Sequence, residues 1–210
     1  MIRGIIAAAL LLFAGAAPTY VCADDEPNPY AIPICAAIIN EMTEGKISIS
    51  KAKEISLAIA HAGNKHFGKV TCGDMWLYMA IVHVESGFKN NIINYQNCRG
   101  MFQVHAPSWA SKFGLKYADL LDLQTNADCG VAVFKYYLEL YKTLVAALSA
   151  YNSDHPGAAR GYAWAVLGTR KKIKKRYTEL YREYKEMALL SLSIGQQESS
   201  AVEPHTLAAW

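Results

Sequence analysis

The sequence predicts a mostly α-helical domain with little or no β-sheet. Three observations carry this. At 210 residues the chain has the length of one domain with appendages. Hydrophobic residues make up 52%, enough for a core and too many for a disordered chain. The apolar runs beyond the N-terminus have helical length and are bounded by capping residues, Pro and Gly where helices start and stop.

Residues 1–23 read as a secretory signal peptide. Arg3 supplies a positive charge, residues 4–17 form an apolar core, and Val21-Cys22-Ala23 is a cleavage site followed by Asp24-Asp25-Glu26. An uncleaved anchor is disfavoured, because a bilayer span needs roughly 20 apolar residues. Thr19-Tyr20-Val21 does not suit a lipid-modified Cys22. The expected location is therefore the periplasm or cell envelope.

Residues 24–69 form a helical lead-in. Residues 24–32 are acidic and proline-rich; Pro33 starts a helix running to about Met42, with Gly45 as its stop. Ser50 caps a second helix over about 51–62. A larger unit, 70–169, follows. Asp74 caps a helix that ends at Glu85 and Gly87. Residues 88–106, with five Asn or Gln between Asn90 and Asn97, read as loop with at most a hairpin-like excursion. Pro107 opens a short helix, residues 119–124 give another turn, and Asn126 or Asp128 begins a long helix to about Tyr141. Thr143 begins one that ends near Tyr151-Asn152. His155-Pro156-Gly157 breaks the chain before a helix over 158–167. A basic helix, 170–190, then forms an appendage, and 191–210 a flexible tail.

Cleavage after Ala23 leaves four cysteines, Cys35, Cys72, Cys98 and Cys129. An even count in an exported chain suggests two disulfides. Three pairings are open; Cys35–Cys72 with Cys98–Cys129 is favoured because it ties neighbouring segments together. No C-x-x-C or H-x-x-x-H pair is present, so no metal site is expected, nor any cofactor.

Charge is uneven. Residues 24–169 carry 12 Lys/Arg against 13 Asp/Glu, whereas residues 170–210 carry 8 against 5. The excess lies in Arg170, Lys171, Lys172, Lys174, Lys175 and Arg176. This is either a solvated helix face or a surface drawn to an anionic polymer or phospholipid. Nucleic acid is not an expected partner of an exported chain.

Glu85 is the most informative residue. It closes the apolar run Met75 to Val84, at the negative end of a helix dipole, where an anion is unfavourable by roughly 0.3–1 kcal/mol. Partial burial also disfavours its charged form. Both effects raise its pKa, as a general acid requires.

Three segments then fall into order: Glu85-Ser86-Gly87-Phe88, Arg99-Gly100-Met101-Phe102-Gln103-Val104 and Ala150-Tyr151-Asn152, followed by Tyr162 ahead of Val166. Over roughly residues 70–170 this resembles the lytic transglycosylases related to the soluble lytic murein enzyme. The resemblance implies a lysozyme-like, goose-type-like helical domain. It also implies cleavage of the β-1,4 bond between N-acetylmuramic acid and N-acetylglucosamine, leaving 1,6-anhydromuramoyl ends. By the same resemblance Glu85 would act first as acid and then as base. Gly100 would admit a sugar to the backbone, Met101 and Phe102 would wall the cleft or simply belong to the core, and Gln103 would bind hydroxyl or acetamido groups. Tyr151 and Asn152 would orient Glu85 or hold the muramoyl ring, with a structural cap as the rival role of Asn152. Ser86 would bond near the acid or cap the turn, and Tyr162 would hydrogen-bond the acid or pack on the next helix.

The sequence departs from the family pattern at Met101-Phe102, at Cys98-Arg99 and at Ser153-Asp154-His155. Segments 86–118 and 143–153 hold no carboxylate, which fits a single acid, whereas ordinary glycosidases use two. A muramidase on the same fold and a non-catalytic wall-binding or assembly protein are the alternatives. The expected partner is the peptidoglycan glycan strand, met by a monomer. A small enzyme of this kind would serve a secretion, conjugation, pilus, flagellar or phage apparatus.

Overall fold

The computed structural model describes the backbone of residues 20–21 and 27–200, and side chains over 28–191 except at Cys72. The expected signal peptide, apart from Tyr20 and Val21, and the last ten residues of the expected tail lie outside the described residues.

Four helices start on a residue whose side chain accepts from the first turn. Ser48, two residues earlier than the sequence suggests, caps α2 (Ile49–Phe67) by accepting from Lys51 N–H. Thr71 and Asp74 form a capping box on α3 (Cys72–Ser86), so Asp74 is the third residue of the helix and not its cap. Asp122 caps α5 (Leu123–Tyr141), and Thr143 caps α6 (Leu144–Ser153). The lead-in contributes α1 (Ala31–Met42), the short α4 is Ala106–Trp109, and α7 is Arg160–Ser200. Two 3-10 turns, Ser111–Phe113 and Tyr117–Leu121, bridge α4 to α5. The described sheet is slight: β1 (Tyr20–Val21) pairs with β2 (Pro27–Asn28), and β3 (Cys98–Arg99) with β4 (Val104–His105), both antiparallel.

Helix α3 is the axis of the core. Met79, Ala80, Ile81 and Val82 are consecutive and fully buried. A helix apolar on every side has to be enclosed by others. Helices α2 and α7 pack on α3, α1 and α5 pack on α2, and α6 lies between α5 and α7.

Helix α7 runs without a break through residue 170, so the basic segment is not a separate appendage, and the helix continues past 190 to Ser200. Ala163, Val166, Ile173, Tyr177, Leu180 and Tyr184 form one buried stripe along it, spaced by three, four or seven residues. Tyr184 packs on Tyr30 at 5.9 Å and Tyr177 on Trp76 at 5.5 Å. The basic cluster is partly spent within the fold. Arg176 grips Glu41 of α1 through two bonds, 2.8 and 2.7 Å, and Lys174 lies over Trp76.

The β3–β4 hairpin is held from beneath by Asn126, buried on α5. Asn126 Oδ1 accepts from Phe102 N–H at 2.8 Å, and Nδ2 donates to the carbonyls of Arg99 and Leu120, each at 2.8 Å. Gly100 sits directly over this amide at φ 72°, and a Cβ there would overlap Asn126 and the Leu120 carbonyl. Gly100 therefore serves the hairpin's seat on α5, and not the approach of a sugar. Met101 and Phe102 are likewise core, both fully buried, with Phe102 filling the space left by Gly130. They do not wall the cleft.

Two substitutions test this seat. Gly100→Ala combines a clash with a left-handed backbone and is expected to cost about 2–4 kcal/mol. Asn126→Ala strands one N–H and two carbonyls and is expected to cost about 3 kcal/mol. Urea unfolding of both variants measures these losses.

Candidate active site

Glu85 occupies the last turn of α3, immediately before Ser86 and the left-handed Gly87 (φ 59°). Gly87 N–H caps the helix by donating to the His83 carbonyl at 3.0 Å. Phe88 is also left-handed (φ 66°) and fully buried, so the chain turns away sharply and leaves the end of α3 open. Ser86 Oγ donates to the Val82 carbonyl at 3.1 Å and thus serves the helix end.

The open end of α3 faces a cleft of about 270 Å³. Its lining includes Glu85, Gln103, Tyr151 and Asn152, which the sequence pattern singles out. Asn94, Gln96, His105, Trp109, Val133, Ser153 and Asp154 also line it, as does Cys98, expected only as a disulfide partner.

One hydrogen bond defines the acid. Tyr162, on the first turn of α7, donates to Glu85 Oε1 at 2.6 Å. Oε2 makes no hydrogen bond among the described residues. Burial drives the Glu85 carboxyl up from its ordinary 4.5 to about 7, and the Tyr162 bond, which favours the charged form, opposes that rise. Tyr162 itself is pushed well above the usual phenol range by burial and by Glu85, so it stays a donor.

Tyr151 makes no hydrogen bond to Glu85, although the nearby carboxyl adds to burial in raising its phenol. Its hydroxyl donates to the Phe102 carbonyl at 2.8 Å. Asn126 and Tyr151 therefore hold the two faces of one hairpin turn, N–H and C=O, from two helices. Gln103, left-handed at φ 48°, donates from Nε2 to the Gly100 carbonyl at 2.8 Å and presents the rest of its amide to the cleft.

Two corrections concern the cysteines and the carboxylates. Cys35, Cys98 and Cys129 are free thiols, so neither favoured bridge forms. Asn94 clamps Cys98 in the hairpin from both sides, accepting its N–H at 3.0 Å and donating to its carbonyl at 3.1 Å, while Cys129 is buried on α5. Burial raises the Cys35 thiol to about 12 and Cys129 to about 11. Second, Glu85 does not have the cleft to itself, because Asp154 lines the same wall. Cys98 lines the cleft with them: burial raises its thiol, and both Glu85 and Asp154 add to that rise.

Among the described residues no group of three or more His, Cys, Asp or Glu is placed to hold a metal ion. No described helix is long and apolar enough to cross a membrane.

The Transglycosylase SLT domain model matches residues 73–184, more than half of the chain. The chain belongs to the SLT transglycosylase family. The family carries a mostly helical, lysozyme-like domain and lytic transglycosylase-type activity on peptidoglycan. The SLT match contains the hairpin, the cleft, Tyr162 and the basic turns of α7 up to Tyr184. No curated protein and no solved structure matches the chain.

Because the folded-state pKa of Glu85 is raised, its burial carries no penalty below about pH 4.5. The penalty grows as pH rises through about 7 and is then constant, on the order of 3 kcal/mol. Glu85→Gln removes it. The variant is expected to melt above the parent at pH 8 and level with it at pH 4, as calorimetry would register.

Proposed function

We propose that this chain is an exported lytic transglycosylase that uses Glu85 as both acid and base. The observation that carries the reading is a carboxyl raised to about 7, in the cleft, held by Tyr162. A carboxyl of that pKa holds a substantial share of protonated form near neutral pH and still releases its proton readily.

In the first step Glu85 gives its proton to the glycosidic oxygen as the bond from the muramoyl C1 breaks, so N-acetylglucosamine departs with a free hydroxyl. In the second, the Glu85 carboxylate takes the proton of the muramoyl C6 hydroxyl as that oxygen bonds to C1. The product is a 1,6-anhydro ring, and Glu85 is again protonated. The attacking hydroxyl belongs to the substrate, which gives it a high effective concentration. Tyr162 favours the carboxylate and so eases proton donation. Asn152 and Gln103 are the proposed sugar contacts. Tyr151, through Phe102, is a positioning residue.

A muramidase reading has one observation in its favour: Asp154 supplies a second carboxylate in the same cleft. The products separate the two. Sacculi digested by the purified protein are expected to yield anhydromuramoyl ends by mass spectrometry; reducing muramic acid ends would establish the hydrolase instead. Glu85→Gln is expected to remove lysis by at least a hundredfold while the protein stays folded.

The pH profile offers a separate check. Activity should decline above about pH 7 as Glu85 loses its proton. Tyr162→Phe removes a bond that lowers the pKa, so this alkaline limb should move to higher pH while the peak rate falls.

A further inference from the structure

Asp154 stands at φ 56°, a left-handed backbone position that glycine occupies without strain, at the C-terminal cap of α6. Asp is one of the few residues with side chains that tolerate this region, yet its presence there puts a carboxylate on the cleft wall. Tyr137 donates its hydroxyl to Asp154 Oδ1. Oδ2 has no hydrogen bond, and Asp154 no salt bridge, among the described residues.

The donor is itself fixed. Tyr137 is buried, with Trp109 edge-on at 5.9 Å, Tyr136 edge-on at 5.2 Å and Tyr141 stacked at 6.3 Å. Burial and Asp154 together push its phenol far up, so it remains a donor. The carboxylate is thus anchored through one oxygen by a rigid aromatic cluster, leaving one acceptor atom for whatever enters the cleft. An acceptor atom held at a fixed place on the cleft wall is suited to receiving hydrogen bonds from a sugar.

We propose that Asp154 is a substrate-binding carboxylate, which accepts hydrogen bonds from hydroxyl or acetamido N–H groups of a glycan sugar in the cleft. This rests on the peptidoglycan reading above and adds to it a residue that sets affinity, not the rate of bond cleavage.

The test uses the uncleaving Glu85→Gln protein and a peptide-free, β-1,4-linked oligomer of N-acetylated sugars, with binding followed by calorimetry. Adding Asp154→Gly should weaken affinity at least fivefold. The protein should stay folded with at most a modest fall in melting temperature, because glycine suits the backbone there while the buried Tyr137 hydroxyl loses its acceptor. Asp154→Asn, which keeps a carbonyl acceptor, should recover part of the affinity. In the active protein, Asp154→Asn should raise KM with little change in kcat. Equal affinity with and without Asp154 would overturn the proposal. So would a loss seen only with peptide-bearing glycan, which would mean recognition of a stem-peptide ammonium. Disappearance of reducing-end products in Asp154→Asn would overturn it as well, by showing a base for water. If Glu85→Gln binds no glycan at all, the peptidoglycan reading falls first and this one with it.

Discussion

Asn126 commits both ends of its side-chain amide to backbone: the Phe102 N–H, the Arg99 carbonyl and the Leu120 carbonyl. A two-residue hairpin has little stability of its own. Without this buried amide, the turn between β3 and β4 would leave polar groups unpaired inside the protein, at a cost of roughly 1–3 kcal/mol each. Gly100, Phe102 and Tyr151 are arranged around it, and Gln103, Cys98 and His105 reach the cleft from the same hairpin. One wall of the cleft therefore exists because α5 presents an asparagine at its first turn, where the Asp122 cap starts the helix.

The opposite wall depends on the enclosure of α3. Its central residues have no exposed side, so the last turn, which carries Glu85, inherits a poorly hydrated setting. Burial and the Tyr162 bond pull the carboxyl in opposite directions, and burial wins. The result is a group poised near neutrality where a solvated glutamate would be fully ionised.

Much of this was legible from residue order. Caps, Gly87 and the apolar run located α3 and its terminal acid, because these signals are local. The pairing of Tyr162 with Glu85 was one of two options that the sequence left open. What sequence could not convey was direction. Met101 and Phe102 could be read as cleft walls or as core because motif residues are adjacent in the chain, and the hairpin turn points them into the core. Gly100 looked like a gap for a sugar, yet the gap is filled by Asn126, 26 residues away. Asn126 itself read only as a possible helix start, since its long-range bonds leave no local trace. Asp154 read only as part of a departure from the family pattern, because nothing nearby in sequence announces Tyr137. The cysteine pairing followed chain order, which says nothing about where a side chain faces.

The continuity of α7 bears on how the chain can be cut and joined. Charge composition suggested a detachable basic arm beginning at residue 170. The helix instead gives Tyr162 to the acid and then Ile173, Tyr177, Leu180 and Tyr184 to the core, so a truncation at 169 would remove part of the domain's own frame. Loss of wall lysis in such a fragment would report unfolding, not lost delivery. A minimal protein retains the chain beyond Tyr184, and a label or fusion partner belongs further along the same rod.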